Sequence, residues 1–98
     1  MPTFECPDRF WKDHSVLDDD DKKRFREAID KLVEDLSTGD RRPRPGLRVK
    51  GVQGADGVFE MTWAPDGRAT FEFGPELREG EPHIVWRRVG THDIFGSP

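Results

Sequence analysis

The sequence predicts a small α+β domain in which N-terminal helices pack on one face of a four-stranded antiparallel sheet. Three observations predict this fold. Residues 22–36 show the apolar spacing of one amphipathic helix, and residues 47–89 contain four segments with strand character. A Pro-Asp-Gly turn joins the two clearest of these strands. Since a chain of 98 residues supports one hydrophobic core, we expect residues 1–98 to form a single domain.

The composition excludes several classes of protein. Only 33% of the residues are hydrophobic and 37% are charged, but seven Phe and three Trp fall at periodic positions, so we do not expect a disordered chain. No apolar run approaches the length of a transmembrane helix, and there is no signal-peptide pattern. With Cys6 as the one cysteine, an intrachain disulfide is excluded, which fits a reducing compartment. We therefore expect a cytoplasmic protein.

Charge is distributed unevenly along the chain. The net charge is −4, with seven Lys or Arg against twelve Asp or Glu in residues 1–40, and nine against eight in residues 41–98. One run of basic residues has no acid among its members: Arg41, Arg42, Arg44, Arg48 and Lys50. A nucleic-acid-binding protein usually has a clearer basic excess, so the overall charge does not favour that class.

The first forty residues predict a short strand followed by two helices. Residues 4–6 have the character of a strand, and residues 7–14 predict two helical turns with Phe10 and Trp11 as anchors. Acidic residues 18–21 precede residues 22–36, where they match the helix dipole, and Gly39 is the expected C-cap. The apolar stripe of the second helix consists of Phe25, Ala28, Ile29, Leu32, Val33 and Leu36.

The remaining residues predict a meander of strands at 47–52, 58–64, 67–73 and 83–89, with residues 74–82 as a hairpin loop. If a three-residue turn with Gly67 at a left-handed position joins the middle strands, Met61 faces Phe71 and Phe59 faces Phe73. In that register Trp63 faces Ala69, and all six of these residues line the buried side, where Trp63 would meet the helix. The opposite side carries Glu60, Thr62, Arg68, Thr70 and Glu72.

This polar side has two interpretations. It is either the solvated face of an antiparallel sheet or a face that binds phosphate. Glu60 and Glu72 are expected directly opposite each other, and like charges in that position repel unless cations from adjacent strands offset them. His92 follows the last strand, where a histidine serves either a structural role or as a general acid or base near neutral pH.

Three segments give the chain a resemblance to a known family. They are Gly57-Val58-Phe59-Glu60, Asp66-Gly67-Arg68-Ala69-Thr70-Phe71 and Ile84-Val85-Trp86-Arg87-Arg88-Val89-Gly90-Thr91-His92. Together with the short strand, the helical pair and the Pro-containing connection, they resemble the RelE/ParE superfamily of bacterial toxins. The resemblance covers nearly the whole chain. It implies a toxin of a toxin-antitoxin system that cleaves mRNA on the ribosome, blocks translation and is held inactive by a cognate antitoxin.

The resemblance also implies roles for individual residues. In this family a metal-independent endoribonuclease uses a base, a phosphate-binding cation and an acid, with no cofactor. Arg68 matches the phosphate-binding Arg, His92 matches the Arg or His after the last strand, and Glu60 is a candidate base. By their charge, and not by the resemblance, further candidate RNA contacts are Arg48 and Lys50, which we place on one face of one strand, and Arg87 and Arg88, which we place on opposite faces of another. The chain has no Tyr, which several members carry near the scissile bond, and Phe95 is the nearest aromatic residue.

Two other functions fit the same fold. A ParE-like member would inhibit a protein target such as gyrase, or an inactive toxin would act through protein contacts alone. A small stand-alone domain would share only the architecture. ParE-like chains do not need the Arg and His pair at the sheet, so Arg68 and His92 favour the ribonuclease.

Overall fold

The computed structural model describes residues 2–98 and shows two helices packed on a five-stranded mixed sheet. Its elements are β1 (Thr3–Glu5), α1 (Asp8–Ser15), α2 (Asp19–Leu36), β2 (Lys50–Gly51), β3 (Val58–Ala64), β4 (Gly67–Arg78) and β5 (Glu81–Thr91). Short 3-10 helices span Pro45–Leu47 and His92–Gly96. The predicted α+β architecture is confirmed. The sheet order is β1-β5-β4-β3-β2, and the sheet is mixed because β1 pairs with β5 in parallel.

Helix α2 begins three residues earlier than predicted, because the acidic run is part of the helix. Asp18 is the N-cap, and its carboxylate accepts a hydrogen bond of 2.7 Å from the Asp21 amide. The helix ends at Leu36 with Ser37 as the C-cap, so the prediction of Gly39 as the cap was wrong. The Val33 carbonyl accepts from both the Ser37 hydroxyl at 2.7 Å and the Ser37 amide at 3.0 Å.

The core lies between α2, α1 and the sheet. Leu32 is fully buried, and Phe25 packs edge-on against Trp86 with ring centroids 5.5 Å apart. Phe10 anchors α1 as predicted, whereas Trp11 is 53% exposed and is not an anchor. The fully buried or nearly buried core positions of the sheet are Met61, Ala69, Phe71, Ile84, Trp86 and Val89. No helix within residues 2–98 has the length and apolarity needed to cross a membrane.

The hairpin between β3 and β4 has a tighter register than predicted. Met61 lies opposite Ala69 and Phe59 opposite Phe71, a shift of two residues that leaves every side chain on its predicted face. The turn is shorter because Ala64 pairs with Gly67 and a bulge falls at Trp63.

Trp63 explains why a glycine occupies the turn. Its indole nitrogen donates a hydrogen bond of 2.9 Å to the Arg68 carbonyl, so the ring folds over the start of β4. A Cβ atom on Gly67 would come within 2.5 Å of that ring. Gly67 is therefore required for close approach, and the predicted left-handed conformation was wrong, since its φ is not positive. Trp63 is half-buried and its ring packs against Phe25 of α2, as predicted.

Two predicted segment boundaries were wrong. The expected strand 47–52 is reduced to Lys50–Gly51, because Pro45–Leu47 forms a 3-10 helix and Arg48 adopts a left-handed conformation with φ 49°. The expected loop 74–82 is mostly strand, since β4 continues to Arg78 and β5 begins at Glu81. This extension is largely exposed, so no apolar alternation marks it in the sequence.

Candidate functional site

The pairing of β4 with β5 brings the start of one strand beside the end of the other. Arg68 lies opposite Gly90, and Gly67 lies opposite Thr91. His92 therefore follows directly after the residue that pairs with the first residue of β4. Arg68 and His92, which are 24 positions apart in sequence, are thus attached near the same end of the sheet, with His92 two residues beyond the partner of Arg68.

The Arg68 side chain is half-buried and caps the β3–β4 turn. Its Nη1 atom donates to the carbonyls of Ala64 (3.2 Å), Pro65 (3.3 Å) and Gly67 (2.9 Å). These contacts fix the guanidinium at the rim of the sheet. Within residues 2–98 the Nε and Nη2 atoms of Arg68 make no hydrogen bond, so this edge of the guanidinium can receive an oxyanion.

His92 is exposed on an anchored segment. It is the first residue of the C-terminal 3-10 helix, whose Thr91 N-cap accepts a hydrogen bond of 3.3 Å from the Asp93 amide. Ile94 is buried and fixes this helix against β5. The His92 ring meets the Phe95 ring edge-on, with centroids 4.9 Å apart. The imidazole is therefore accessible to a ligand while its backbone is held in place.

Glu60 and Glu72 do not lie directly opposite each other, contrary to the prediction. In the observed register Glu60 pairs with Thr70 and Glu72 with Val58. Each carboxylate has its own cation from an adjacent strand. Lys50 Nζ lies 3.6 Å from Glu60 Oε1, and Arg87 Nη1 lies 3.2 Å from Glu72 Oε2. The offsetting cations that the sequence suggested are therefore present, on neighbouring strands.

Thr70 is the buried member of this polar side. It lies opposite Glu60 on β3 and opposite Arg88 on β5, and it is fully buried. Its hydroxyl has no hydrogen-bond partner within the part of the chain that the structure describes. A buried hydroxyl without a partner is costly, so a water molecule or a ligand is expected to satisfy it.

Arg87 and Arg88 sit at a β-bulge. Thr70 pairs with Arg88 while Phe71 pairs with Trp86, so Arg87 is the extra residue of β5. The bulge interrupts the regular alternation from which the sequence placed these two arginines on opposite faces. Arg88 Nε and Nη2 contact the Asp13 carboxylate of α1 at 2.5 and 3.1 Å.

Most of the basic run is engaged within the fold. Arg44 holds Asp35 through its Nη2 atom (2.8 Å to Oδ1) and its amide (2.8 Å to Oδ2). The hydrogen bonds from the Arg44 side chain lower the pKa of the Asp35 carboxyl below its ordinary value. Arg41 donates to the Gly80 carbonyl. Arg48 and Lys50 are exposed, but only Lys50 belongs to β2, so the prediction that they share one strand face was wrong.

A second feature is an apolar groove of about 610 Å³ between β1, α1 and α2. Its apolar lining includes Phe4 and Trp11, both substantially exposed. The basic residues at its rim are Lys22, Lys23 and Arg26 of α2. His14 lies in the lining, where burial and then the charge of Lys22 lower the pKa of its imidazole.

Metal binding and thiol chemistry are the two other kinds of site to consider in this fold. Within residues 2–98 there is no group of three or more His, Cys, Asp or Glu residues arranged to hold a metal ion. Cys6 is half-buried, and burial followed by the charge of Glu5 raises the pKa of its thiol, which disfavours the reactive thiolate.

Several contacts between distant segments were not predicted from the sequence. Asp13 accepts from both Arg88 and the Val89 amide, and Arg9 contacts Ser97. These residues belong to charged helix surfaces or to the tail, where periodicity carries no information about partners. The bulge at Arg87 could have been suspected from the adjacent arginines that interrupt the apolar alternation of β5.

No protein-family model and no curated protein matches the sequence. Solved structures do match it. YafQ from E. coli strain BL21(DE3) is 14% identical with a TM-score of 0.69, covering 96% of this chain and 97% of YafQ. The RelB-RelE antitoxin-toxin complex from Methanococcus jannaschii is 16% identical, with a TM-score of 0.65 and 93% of each chain covered.

A third similar structure is the YoeB/ParE toxin from Agrobacterium tumefaciens. It is 16% identical, with a TM-score of 0.64, and the match covers 92% of this chain and 98% of that toxin. At these identities the likeness concerns the backbone, which follows the same course over nearly the full length of each relative. The chain thus has the fold of the RelE/ParE toxin superfamily, as the sequence motifs indicated.

Proposed function

We propose that residues 1–98 form a RelE-like toxin domain that cleaves mRNA on the ribosome and so blocks translation in the cytoplasm. The observation that supports this proposal is the β4–β5 pairing, which brings the backbone of Arg68 and His92 to the same end of a RelE/ParE-type sheet. A phosphate-binding cation and a group that can donate a proton are the minimum requirement for metal-independent cleavage of a phosphodiester.

In this mechanism the 2′-oxygen of RNA attacks the adjacent phosphorus and the 5′-oxygen leaves. The free edge of the Arg68 guanidinium stabilises the negative charge that accumulates on the phosphate oxygens. His92 donates the proton that the leaving 5′-oxygen requires. Glu60 is the proposed base for the 2′-hydroxyl, and Lys50 Nζ lies 3.6 Å from its carboxylate. Phe95 packs on His92 where other members carry Tyr, and it takes no part in proton transfer.

The proposed RNA contacts are basic side chains on or near β2 and on β5. Lys50 and Arg48 are exposed beyond β3, and Arg87 and Arg88 lie on β5. Their positive charges would bind the phosphate backbone and orient the strand without reading its sequence. Because the chain is acidic overall, these local charges must suffice for binding, with the ribosome holding the mRNA in place.

We also propose a protein antitoxin as the partner. Two similar structures are described as the E. coli DinJ-YafQ complex and the RelB-RelE antitoxin-toxin complex. The apolar groove supports this proposal, because its exposed aromatic floor and its basic rim of Lys22, Lys23 and Arg26 suit an amphipathic helix with acidic flanks.

The antitoxin proposal is tested by purifying the tagged protein from its native cell and identifying what copurifies. We expect a small acidic protein encoded nearby, and we expect Trp11→Glu to release it because a charge would enter the groove. Val16→Glu, an exposed position outside the groove lining, is the matched control. Recovery of no small partner would contradict the toxin-antitoxin proposal.

A second candidate function is protein inhibition, as in a ParE-like gyrase inhibitor or an inactive toxin. The observation that favours it is the engagement of Arg68 Nη1 by three turn carbonyls, together with the lack of any Tyr. In this alternative Arg68 serves the turn and the sheet binds a protein target.

Ribonuclease activity and gyrase inhibition are distinguished by whether translation or DNA supercoiling is lost first after expression of the protein is induced. A ribonuclease would halt incorporation of labelled amino acids while plasmid supercoiling stays normal. A gyrase inhibitor would relax plasmids first, and purified protein would inhibit gyrase without RNA. Loss of supercoiling before loss of translation would overturn the ribonuclease proposal in favour of the alternative.

A further inference from the structure

Three arginine side chains converge on Ser97 and Pro98. Arg9 Nη2 donates to the Ser97 carbonyl (3.2 Å) and hydroxyl (2.9 Å), and Arg88 Nη1 donates to the same carbonyl at 3.0 Å. Arg87 Nε and Nη2 both donate to the main-chain oxygen of Pro98, at 3.3 and 3.1 Å. Arginines from α1 and from β5 thus bind one short stretch of backbone.

The C-terminal 3-10 helix brings this stretch into position. Ile94 is buried and packs so closely on Gly90 that a Cβ atom there would lie 3.0 Å from its side chain. The Ser97 amide donates to the Ile94 carbonyl at 3.0 Å, which reverses the chain. Residues 97–98, which we call the tail segment, therefore run back alongside Arg88 and Arg87. The tail segment lies over side chains that β5 would otherwise present to solvent.

The arginines are arranged as they would be around an oxyanion. Arg87 offers its Nε–Nη2 edge, the fork that fits carboxylate or phosphate oxygens, while Glu72 holds its Nη1 atom. Asp13 holds the Nε and Nη2 atoms of Arg88 and leaves Nη1 for the tail segment. Two carboxylates thus orient two of the guanidinium groups. The Ser97 acceptors are neutral, and an anionic acceptor would form hydrogen bonds roughly twice as strong.

We propose that Arg9, Arg87 and Arg88 form a phosphodiester-binding site for single-stranded RNA, which the tail segment covers until an RNA phosphate displaces its oxygens. The proposal rests on the proposed function for its natural ligand. It adds Arg9 of α1 to the RNA-binding surface, and it assigns the tail segment the role of a competitor for that surface. The apparent RNA affinity then equals the affinity of the uncovered site multiplied by the fraction of molecules in which the site is uncovered.

The test is deletion of residues 97–98, measured by fluorescence anisotropy with a short single-stranded RNA. The RNA carries 2′-O-methyl groups, so it cannot be cleaved through its 2′-oxygen and binding is read alone. We expect the deletion to tighten binding about tenfold, the gain from uncovering a site that is open in about one molecule in ten. Combining the deletion with Arg87→Gln should erase this gain. Combining it with Arg78→Gln, at the exposed tip of β4, should preserve the gain.

A second variant tests the proposal even if the deletion variant does not fold. Ser97→Gly with Pro98→Gly keeps the chain length and loosens the tail segment, and it should also tighten RNA binding, by a smaller factor. The proposal is overturned if folded variants of either kind bind RNA no more tightly than the parent, or if the gain persists with Arg87→Gln. Because binding is measured without cleavage, this result is independent of whether the protein proves to be a ribonuclease.

Discussion

Individual arginines of the basic run stabilise the fold, and Arg44 is the clearest example. Its hydrogen bonds lower the pKa of Asp35, so the folded protein binds fewer protons there than the unfolded chain does. The resulting stabilisation is complete above the ordinary Asp pKa of 3.8, and it is lost as the pH falls through the lowered pKa of the folded state.

We therefore predict that Arg44→Gln removes part of the acid dependence of stability. Urea unfolding of the parent should show stability falling as the pH drops below 3.8, and the variant should show a smaller fall. The control is Arg42→Gln, because Arg42 is exposed and its side chain makes no hydrogen bond within residues 2–98. Identical pH profiles for the parent and Arg44→Gln would contradict the assignment.

The proposed catalytic pair gives a second prediction at this scale. Arg68→Ala should lower cleavage of translated mRNA by about 10²–10³, the cost of losing one charge-stabilising donor. His92→Ala should lower it by about 10²–10⁴, the usual contribution of a general acid or base. We also expect the His92 ring and the Arg68 guanidinium to lie on the same face, close enough for one phosphodiester to touch both. Initial cleavage rates measure the loss caused by each substitution. A folded double variant that cleaves mRNA as fast as the parent would contradict the catalytic roles of both residues.

Residue roles were only partly predictable from the sequence. Alternation along β4 correctly placed Arg68, Thr70 and Glu72 on one side, because strand periodicity fixes the face of each residue. It could not show that Arg68 folds back onto the turn or that Arg88 reaches Asp13, since both depend on the path of the chain in three dimensions.

At the scale of elements, α2 provides most of the helical contribution to the core. Leu32 is fully buried in its centre, facing the sheet. We predict that Leu32→Ala lowers the free energy of unfolding by about 2–5 kcal/mol, through lost transfer energy and the cavity left behind. Urea denaturation measures this change. Leu77→Ala, at a position that is 69% exposed, should change stability by less than about 0.5 kcal/mol. Equal effects of the two substitutions would show that the core is misassigned.

Element type was easier to predict than element extent. The apolar stripe of α2 and the alternation of β3 identify one helix and one strand, because burial of one face requires those periods. The tip of the β4–β5 hairpin has no buried face, and β2 is only two residues long, so neither leaves a periodic signal. The register of the β3–β4 hairpin depended on the Trp63 ring packing over Gly67, a contact that turn statistics do not contain.

For the whole molecule, the fold is shared with YafQ at 14% identity. A pattern of buried positions specifies such an architecture, and many different side chains satisfy that pattern. The proposed function therefore depends on particular residues at the rim of the sheet, chiefly Arg68 and His92. Under the proposed function, the net charge of −4 means that the ribosome, and not the overall charge of the protein, would bring mRNA to the site.

The central claim is cleavage of mRNA on the ribosome, and mapping mRNA 5′ ends in a reconstituted translation system tests it most directly. The parent protein is added to one mRNA with ribosomes and to the same mRNA without ribosomes. The His92→Ala variant is added to the same two reactions. We predict new 5′ ends within the translated region only for the parent protein with ribosomes present. An unchanged set of 5′ ends in that reaction, with protein shown to be folded, would contradict the claim.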